Sequence, residues 1–292
     1  MCCLFGLLDY KGVFSSKDKN IILSVLSAEC EARGIDATGI AYNTYGRLCL
    51  YKRPLPAHKL NIHVPDTARF IMGHTRMTTQ GSEKRNINNH PFKGGVKSTN
   101  FALAHNGILN NDIYLRKKES LPHTKIQTDS YVAVQLLEKQ NALNFKSLKY
   151  MAEKVEGIFT FTVLDDRDNL YVVRGGNPFA LYHFSEWGFY LYASTDEILT
   201  KALSMLGIRD LQRESILLSY GDILKINRNG KMHRGYFDGD SFNDYLPFRE
   251  NCNSYTKALK SVAFYYGYLP DDIDNLLADG FSCEEIESLM CV

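Results

Sequence analysis

The chain has 292 residues, of which 45% are apolar and 23% charged, the balance of a globular protein with material for a full core. Thirty-four Lys and Arg against 33 Asp and Glu leave a net charge of +1, so neither a nucleic-acid footprint nor a membrane-surface patch is expected. No apolar run is long enough to span a membrane, and the apolar start lacks the basic flank of a secretory signal.

In chain order, residues 2–8 read as a buried first strand, broken at once by Asp9 and Lys11. Helical periodicity appears at 21–32, 131–139, 145–155 and 197–206. Residues 86–100 are polar and rich in Gly and Asn, and read as a loop. Runs rich in β-branched and aromatic residues mark strands at 101–104, 158–164, 170–173, 179–184 and 189–192. The last four are separated by short breaks, which favours antiparallel hairpins or meanders over helical crossovers. Charge and Gly/Asp content rise at 235–244, suggesting a unit over 2–235 and a linker with a small helical extension over 236–292. Within the extension, residues 254–267 carry apolar and aromatic residues at mixed spacing. Pro270 with Asp271 and Asp272 opens a helix, Gly280 stops it, and Ser282 with Glu285 forms a capping box for another. Two apolar stripes result: Ile273, Leu276 and Leu277, then Ile286, Leu289 and Met290. Helices this short need burial, either on the chain's own main unit or on a partner.

The seven cysteines, Cys2, Cys3, Cys30, Cys49, Cys252, Cys283 and Cys291, contain no C-x-x-C pair, and the eight histidines show no metal-ligand spacing. No metal, cofactor or disulfide framework is indicated, and a cytoplasmic location suits the pattern. No phosphate-binding glycine motif is present.

Chemistry concentrates in four segments. If Met1 is removed, Cys2 carries a nucleophilic thiol and a basic α-amine on one residue. Read alone, Cys2 is equally a small buried hydrophobe at a strand start. Gly73-His74-Thr75-Arg76 offers a guanidinium suited to a carboxylate, or an ordinary surface arginine. Ala104-His105-Asn106-Gly107 offers amide donors, but Asn-Gly is also a common hairpin turn pair. Thr128-Asp129-Ser130 offers an anion for an ammonium, or an acid beside a helix start.

Taken in order, these segments resemble the class II glutamine amidotransferases, which are N-terminal-nucleophile hydrolases. Further matches are Arg33-Gly34-Ile35-Asp36, Asn89-His90-Pro91, Glu156-Gly157-Ile158-Phe159, Ala193-Ser194-Thr195-Asp196 and Gly221-Asp222-Ile223. The resemblance covers about residues 2–227. It implies an α+β fold, an αββα four-layer sandwich of two mainly antiparallel sheets, followed here by the short helical extension. It implies Cys2 as nucleophile, Asn106 and Gly107 as oxyanion hole, Arg76 and Thr79 on the substrate α-carboxylate, and Asp129 on its α-ammonium. The reaction implied is hydrolysis of the glutamine side-chain amide through a glutamyl-thioester, with ammonia passed to an acceptor on a separate polypeptide. Hydrolysis of γ-glutamyl peptides and a catalytically inactive regulatory subunit are the alternatives. Oligomeric state is not legible.

Two departures from the family pattern stand close to the chemistry. Cys3 occupies a position usually held by glycine, and strand alternation turns it away from the face of Cys2. Met77-Thr78-Thr79-Gln80-Gly81 replaces the Trp-Ala-Thr-His-Gly typical of sugar synthases. His74, His90 and His105 are expected to be structural, since the N-terminal amine would fill the base role.

Overall fold

The computed structural model describes residues 1–97, 99–238, 256, 259, 260, 263, 268 and 270–290. Two antiparallel sheets form its centre. The first has β1 (Cys3–Asp9) at its middle, between β4 (Phe70–Arg76) and β10 (Phe189–Ala193). Beyond β4 lie β2 (Ala37–Thr44) and β3 (Arg47–Arg53). Beyond β10 lie β9 (Ala180–Phe184) and the short β11 (Glu214–Ser215). The second sheet runs β13 (Met232–Tyr236), β12 (Asp222–Ile226), β8 (Leu170–Gly175), β7 (Gly157–Asp165), β6 (Thr99–Leu109) and β5 (Phe92–Val96).

Alternation along the strands builds the layers. On β1, Cys3, Phe5 and Leu7 pack against Leu23 and Leu26 of α1 (Ser16–Glu29) and Leu199 and Leu203 of α5 (Asp196–Met205). Leu4 and Leu8 face the opposite way, onto Ala102, Ala104, Leu164 and Val172 of the second sheet. That sheet's outer face, with Leu103, Phe161 and Val163, packs on α3 (Tyr131–Gln140) and α4 (Phe145–Lys154). The result is the expected αββα sandwich. Because β1 is covered on both faces, it reads as a continuous apolar run, and each fully buried Phe or Leu there contributes roughly 1.5–3 kcal/mol.

Two local expectations are corrected. The stretch 86–100 is not all loop, since it contains β5 and the start of β6. Phe92, Gly94 and Val96 point inward and Lys93 and Gly95 outward, but two glycines and a lysine dilute the strand signal. The break at 175–178 is not a hairpin. It carries the chain from β8 in the second sheet to β9 in the first. In addition, α1 begins at Ser16, ahead of its periodicity, because Ser15 and Asp18 form a capping box.

Residues 235–244 and 254–267 lie largely outside the described residues. Past them come α6 (Pro270–Ala278) and α7 (Cys283–Met290), the latter opened by the Ser282–Glu285 box. Ile273 and Ile286 cluster with Leu259 and Ala263, while Leu289 points outward. Among the described residues, no helix is long and apolar enough to cross a membrane, and no His/Cys/Asp/Glu group is placed to hold a metal.

The outer helices of the second sheet share one carboxylate. Glu119, at the end of α2 (Asp112–Lys118), accepts from Lys139 Nζ at 2.7 Å and Tyr150 OH at 2.8 Å, and Lys154 Nζ lies at 3.2 Å. These donors, Lys139 first, pull its carboxyl down to about 2 from 4.5. A depressed folded-state value stabilises the fold above the unfolded value and is lost as pH falls. Glu119→Gln is therefore expected to lower the melting temperature at pH 7. In melts across pH, that deficit should shrink below pH 4.5 and vanish near pH 2.

Candidate functional site

Cys2 immediately precedes β1 at one edge of the space between the sheets. The ladder pairs Cys3 with Thr75, so the next step places Cys2 beside Arg76. The Cys2 thiol donates to the Met77 carbonyl at 3.4 Å. Burial pushes this thiol above its usual value. The neighbouring amine, the Met77 carbonyl contact and Arg76 pull it back, and Asp129 adds to the rise. Cys2, Arg76 and Asp129 thus feel one another's charge. Met1 is buried, its amine donating to Met77 Sδ at 2.7 Å.

Arg76 ends β4 with its side chain buried. Its guanidinium donates to Asn89 Oδ1 at 2.7 Å, to the Gln80 carbonyl at 2.6 Å and to the Gly81 carbonyl at 3.0 Å. Burial lowers its pKa, opposed by the nearby Cys2, Asp129 and Asp36. Gly34 lies so close to the backbone of Arg76 and Met77 that a Cβ there would sit 2.5 Å from the Arg76 carbonyl carbon. The Arg33–Asp36 segment is thereby pressed against the site. Thr79 is half-buried in the turn after β4, and none of the described hydrogen bonds involves it.

Asp129 precedes α3, whose cap residue is Ser130. Its carboxylate accepts the Leu109 N–H at 2.7 Å and the Ser130 hydroxyl at 3.3 Å. It is buried, so the anion is held rather than solvated.

Asn106 and Gly107 lie inside β6, not in a hairpin turn. Gly107 has φ +142°, and a Cβ would meet the Ile158 carbonyl oxygen at 1.8 Å, so only glycine fits. Asn106 Nδ2 donates to Ser194 Oγ at 3.2 Å, and the same hydroxyl accepts the Leu4 N–H at 2.8 Å. One hydroxyl therefore joins the strand that follows Cys2 to Asn106 across the two sheets. Asn106 Oδ1 is buried without a hydrogen-bond partner among the described residues.

Three supporting residues carried no assigned role in the sequence. Asn177 Nδ2 donates to the Asn106 carbonyl at 2.8 Å, the other end of the peptide unit that carries the Gly107 N–H. Its own carbonyl accepts Thr160 Oγ1 at 2.9 Å. It sits in the 175–178 crossing, where Gly-Gly-Asn-Pro reads as punctuation. Arg33 Nε donates to the Cys2 carbonyl at 3.1 Å. Ser194 and Arg33 both lie in segments that match the family pattern, a signal without a role attached.

His74, His90 and His105 lie between or beside the strands, buried. Burial pulls His74 down to about 3 and His105 to about 4, and His90 falls well below its usual range. All three are neutral. His74 Nε2 lies 2.9 Å from the His105 carbonyl and must donate to it, and its ring lies tilted at 33° to that of His90, with centroids 4.2 Å apart. Cys3 faces away from the site as alternation requires, and its sulfur lies 2.9 Å from that of Cys30.

The chain resembles known proteins in sequence and in fold. Residues 74–201 match the family described as a glutamine amidotransferase domain. The glutamine–fructose-6-phosphate aminotransferase of Campylobacter jejuni is 28% identical over 239 residues, covering 75% of this chain and 38% of that protein. Its Lactococcus lactis counterpart is 30% identical over 184 residues, covering 57% of this chain and 29% of that one. The chain thus spans well under half of either relative. Among solved structures, the glutamine phosphoribosylpyrophosphate amidotransferase of Bacillus subtilis superposes with a TM-score of 0.62 at 19% identity, over 82% of this chain and 50% of that one. Residues 74–201 thus carry the sequence of a glutamine amidotransferase domain, set in a two-sheet fold shared with an amidotransferase of known structure.

Proposed function

We propose that this protein hydrolyses the side-chain amide of glutamine, with Cys2 as an N-terminal nucleophile freed by removal of Met1. The observation that carries the reading is the convergence of Cys2, Arg76 and Asp129, a thiol with one buried cation and one buried anion close enough to perturb it. A zwitterionic amino acid needs one clamp for each charge. Arg76 suits the α-carboxylate by its planar fork, and Asp129 suits the α-ammonium. Thr79 stands in the turn beside Arg76 and would add a hydroxyl on the carboxylate side.

In the proposed reaction the Cys2 thiol resides as SH, as its burial favours. The α-amine takes the thiol proton while sulfur attacks the amide carbon. The negative oxygen that forms is held by Asn106 Nδ2 and the Gly107 N–H. The ammonium then returns the proton to the leaving nitrogen, the C–N bond breaks, and ammonia departs from a glutamyl-thioester. Water, deprotonated by the same amine, attacks the thioester, the C–S bond breaks, the ammonium returns the proton to the Cys2 sulfur, and glutamate leaves. The ammonia passes to an acceptor site on another polypeptide. Transfer of the ammonia fits relatives whose names describe an aminotransferase.

The roles separate kinetically. Cys2→Ala should abolish ammonia release while leaving the circular dichroism spectrum unchanged. Asp129→Asn keeps an acceptor for Leu109 but loses the charge. The KM for glutamine should rise about thirtyfold, from a loss of about 2 kcal/mol, with a smaller change in kcat. Asn106→Ala should instead lower kcat by about 10²–10³ with KM nearly constant. An Asn106→Ala enzyme with full turnover would remove Asn106 from the oxyanion role.

A further inference from the structure

We propose that Glu287, on the C-terminal helix α7, is a positioning residue for the Cys2 nucleophile and acts through Arg33. This rests on the assignment of Cys2 above. A residue at a chain start has one covalent neighbour, so non-covalent contacts must fix its orientation. For Cys2 the backbone contact is at its carbonyl, which accepts Arg33 Nε–H at 3.1 Å. The bond fixes the plane of the Cys2–Cys3 peptide unit, from which the amine and the thiol project at the Cys2 Cα.

Arg33 is itself held from the far end of the chain. Its Nη1 donates to Glu287 Oε2 in an ion pair whose two side chains are 6% and 4% exposed. A guanidinium is a rigid plane, so fixing Nη1 also fixes the direction of the Nε–H. The Glu287 carboxylate further supplies a counter-charge that a buried arginine requires. The helix is placed to do this. It is opened by its capping box, and Ile286 and Glu287 are its buried residues. Ile286 faces the small cluster with Ile273, Leu259 and Ala263, while Glu287 faces the sandwich. The C-terminal extension therefore completes the support of a nucleophile 285 positions earlier in the chain. The proposed glutamine clamps, Arg76 and Asp129, take their side-chain hydrogen bonds from other residues, so turnover is expected to depend on this pair more than binding does.

The test is steady-state glutaminase kinetics together with the rate of Cys2 alkylation by iodoacetamide, read by peptide mass spectrometry. Glu287→Ala is expected to lower kcat about tenfold and slow alkylation to a similar degree, with KM held within about twofold. Glu287→Asp keeps the charge but withdraws it by one methylene, so it should fold as the wild type does and lose about threefold in kcat alone. Ser288→Ala, at an exposed neighbour on the same helix, should change neither rate. A lowered melting temperature in Glu287→Ala with unchanged kcat and alkylation would reduce the pair to a structural contact and overturn the proposal. Should Glu287→Ala fail to fold, Glu287→Asp decides, and an unchanged kcat there overturns it equally. If the wild type itself releases no ammonia from glutamine, the function reading fails, and the alkylation rates still decide this one.

Discussion

The Ser194 hydroxyl sits where the two sheets meet. It accepts the Leu4 N–H from the strand that begins beside Cys2, and it accepts Asn106 Nδ2 from the opposing sheet. In a buried site such bonds are expensive to leave unmade, so the hydroxyl fixes the offset of one sheet against the other. The side chains that would attack and those that would hold the resulting charge come from different sheets. Their mutual distance is therefore set by inter-sheet packing and not by local sequence. The apolar layer of Leu4, Leu8, Ala102, Ala104, Leu164 and Val172 supplies the cohesion, and Ser194 supplies the register.

Around that junction the site is built from backbone constraints. Gly107 occupies a conformation and a space that exclude any side chain, and Asn177 grips the carbonyl of the same peptide unit. A donor fixed in advance costs no reorganisation as charge develops. Arg76 and Asp129 are likewise held by their own bonds before any substrate arrives, Arg76 by Asn89 and the Gln80–Gly81 turn, Asp129 by the Leu109 N–H. The three buried histidines, neutral throughout the physiological range, belong to the packing, and in the proposed reaction the proton transfers fall to the N-terminal amine.

The sequence was most legible where one segment carries its own signal. The strands at 158–164 and 189–192 are dense in β-branched and aromatic residues, and each appears with ends shifted by only a residue or so. Cys2, Arg76, Asn106, Gly107 and Asp129 stand out as candidates in the sequence because their types and order match a known chemistry. β5 was hidden, since Gly94 has no side chain to signal a strand, and that absence is what lets Phe101 and Val134 close over it. The 175–178 crossing resembled a hairpin because turn residues mark a change of direction without saying which sheet follows. The Arg33–Glu287 and Asn106–Asn177 contacts link distant segments and have no local periodicity to read.

The central claim is that Cys2, with a free amine, forms a covalent glutamyl intermediate. Acid-quenching the enzyme during turnover with glutamine and analysing its peptides by mass spectrometry tests this most directly. The account requires one glutamyl group in thioester linkage on a peptide that begins at Cys2 and lacks Met1. A glutamyl group on any other residue, or full turnover by protein that retains Met1, would contradict it.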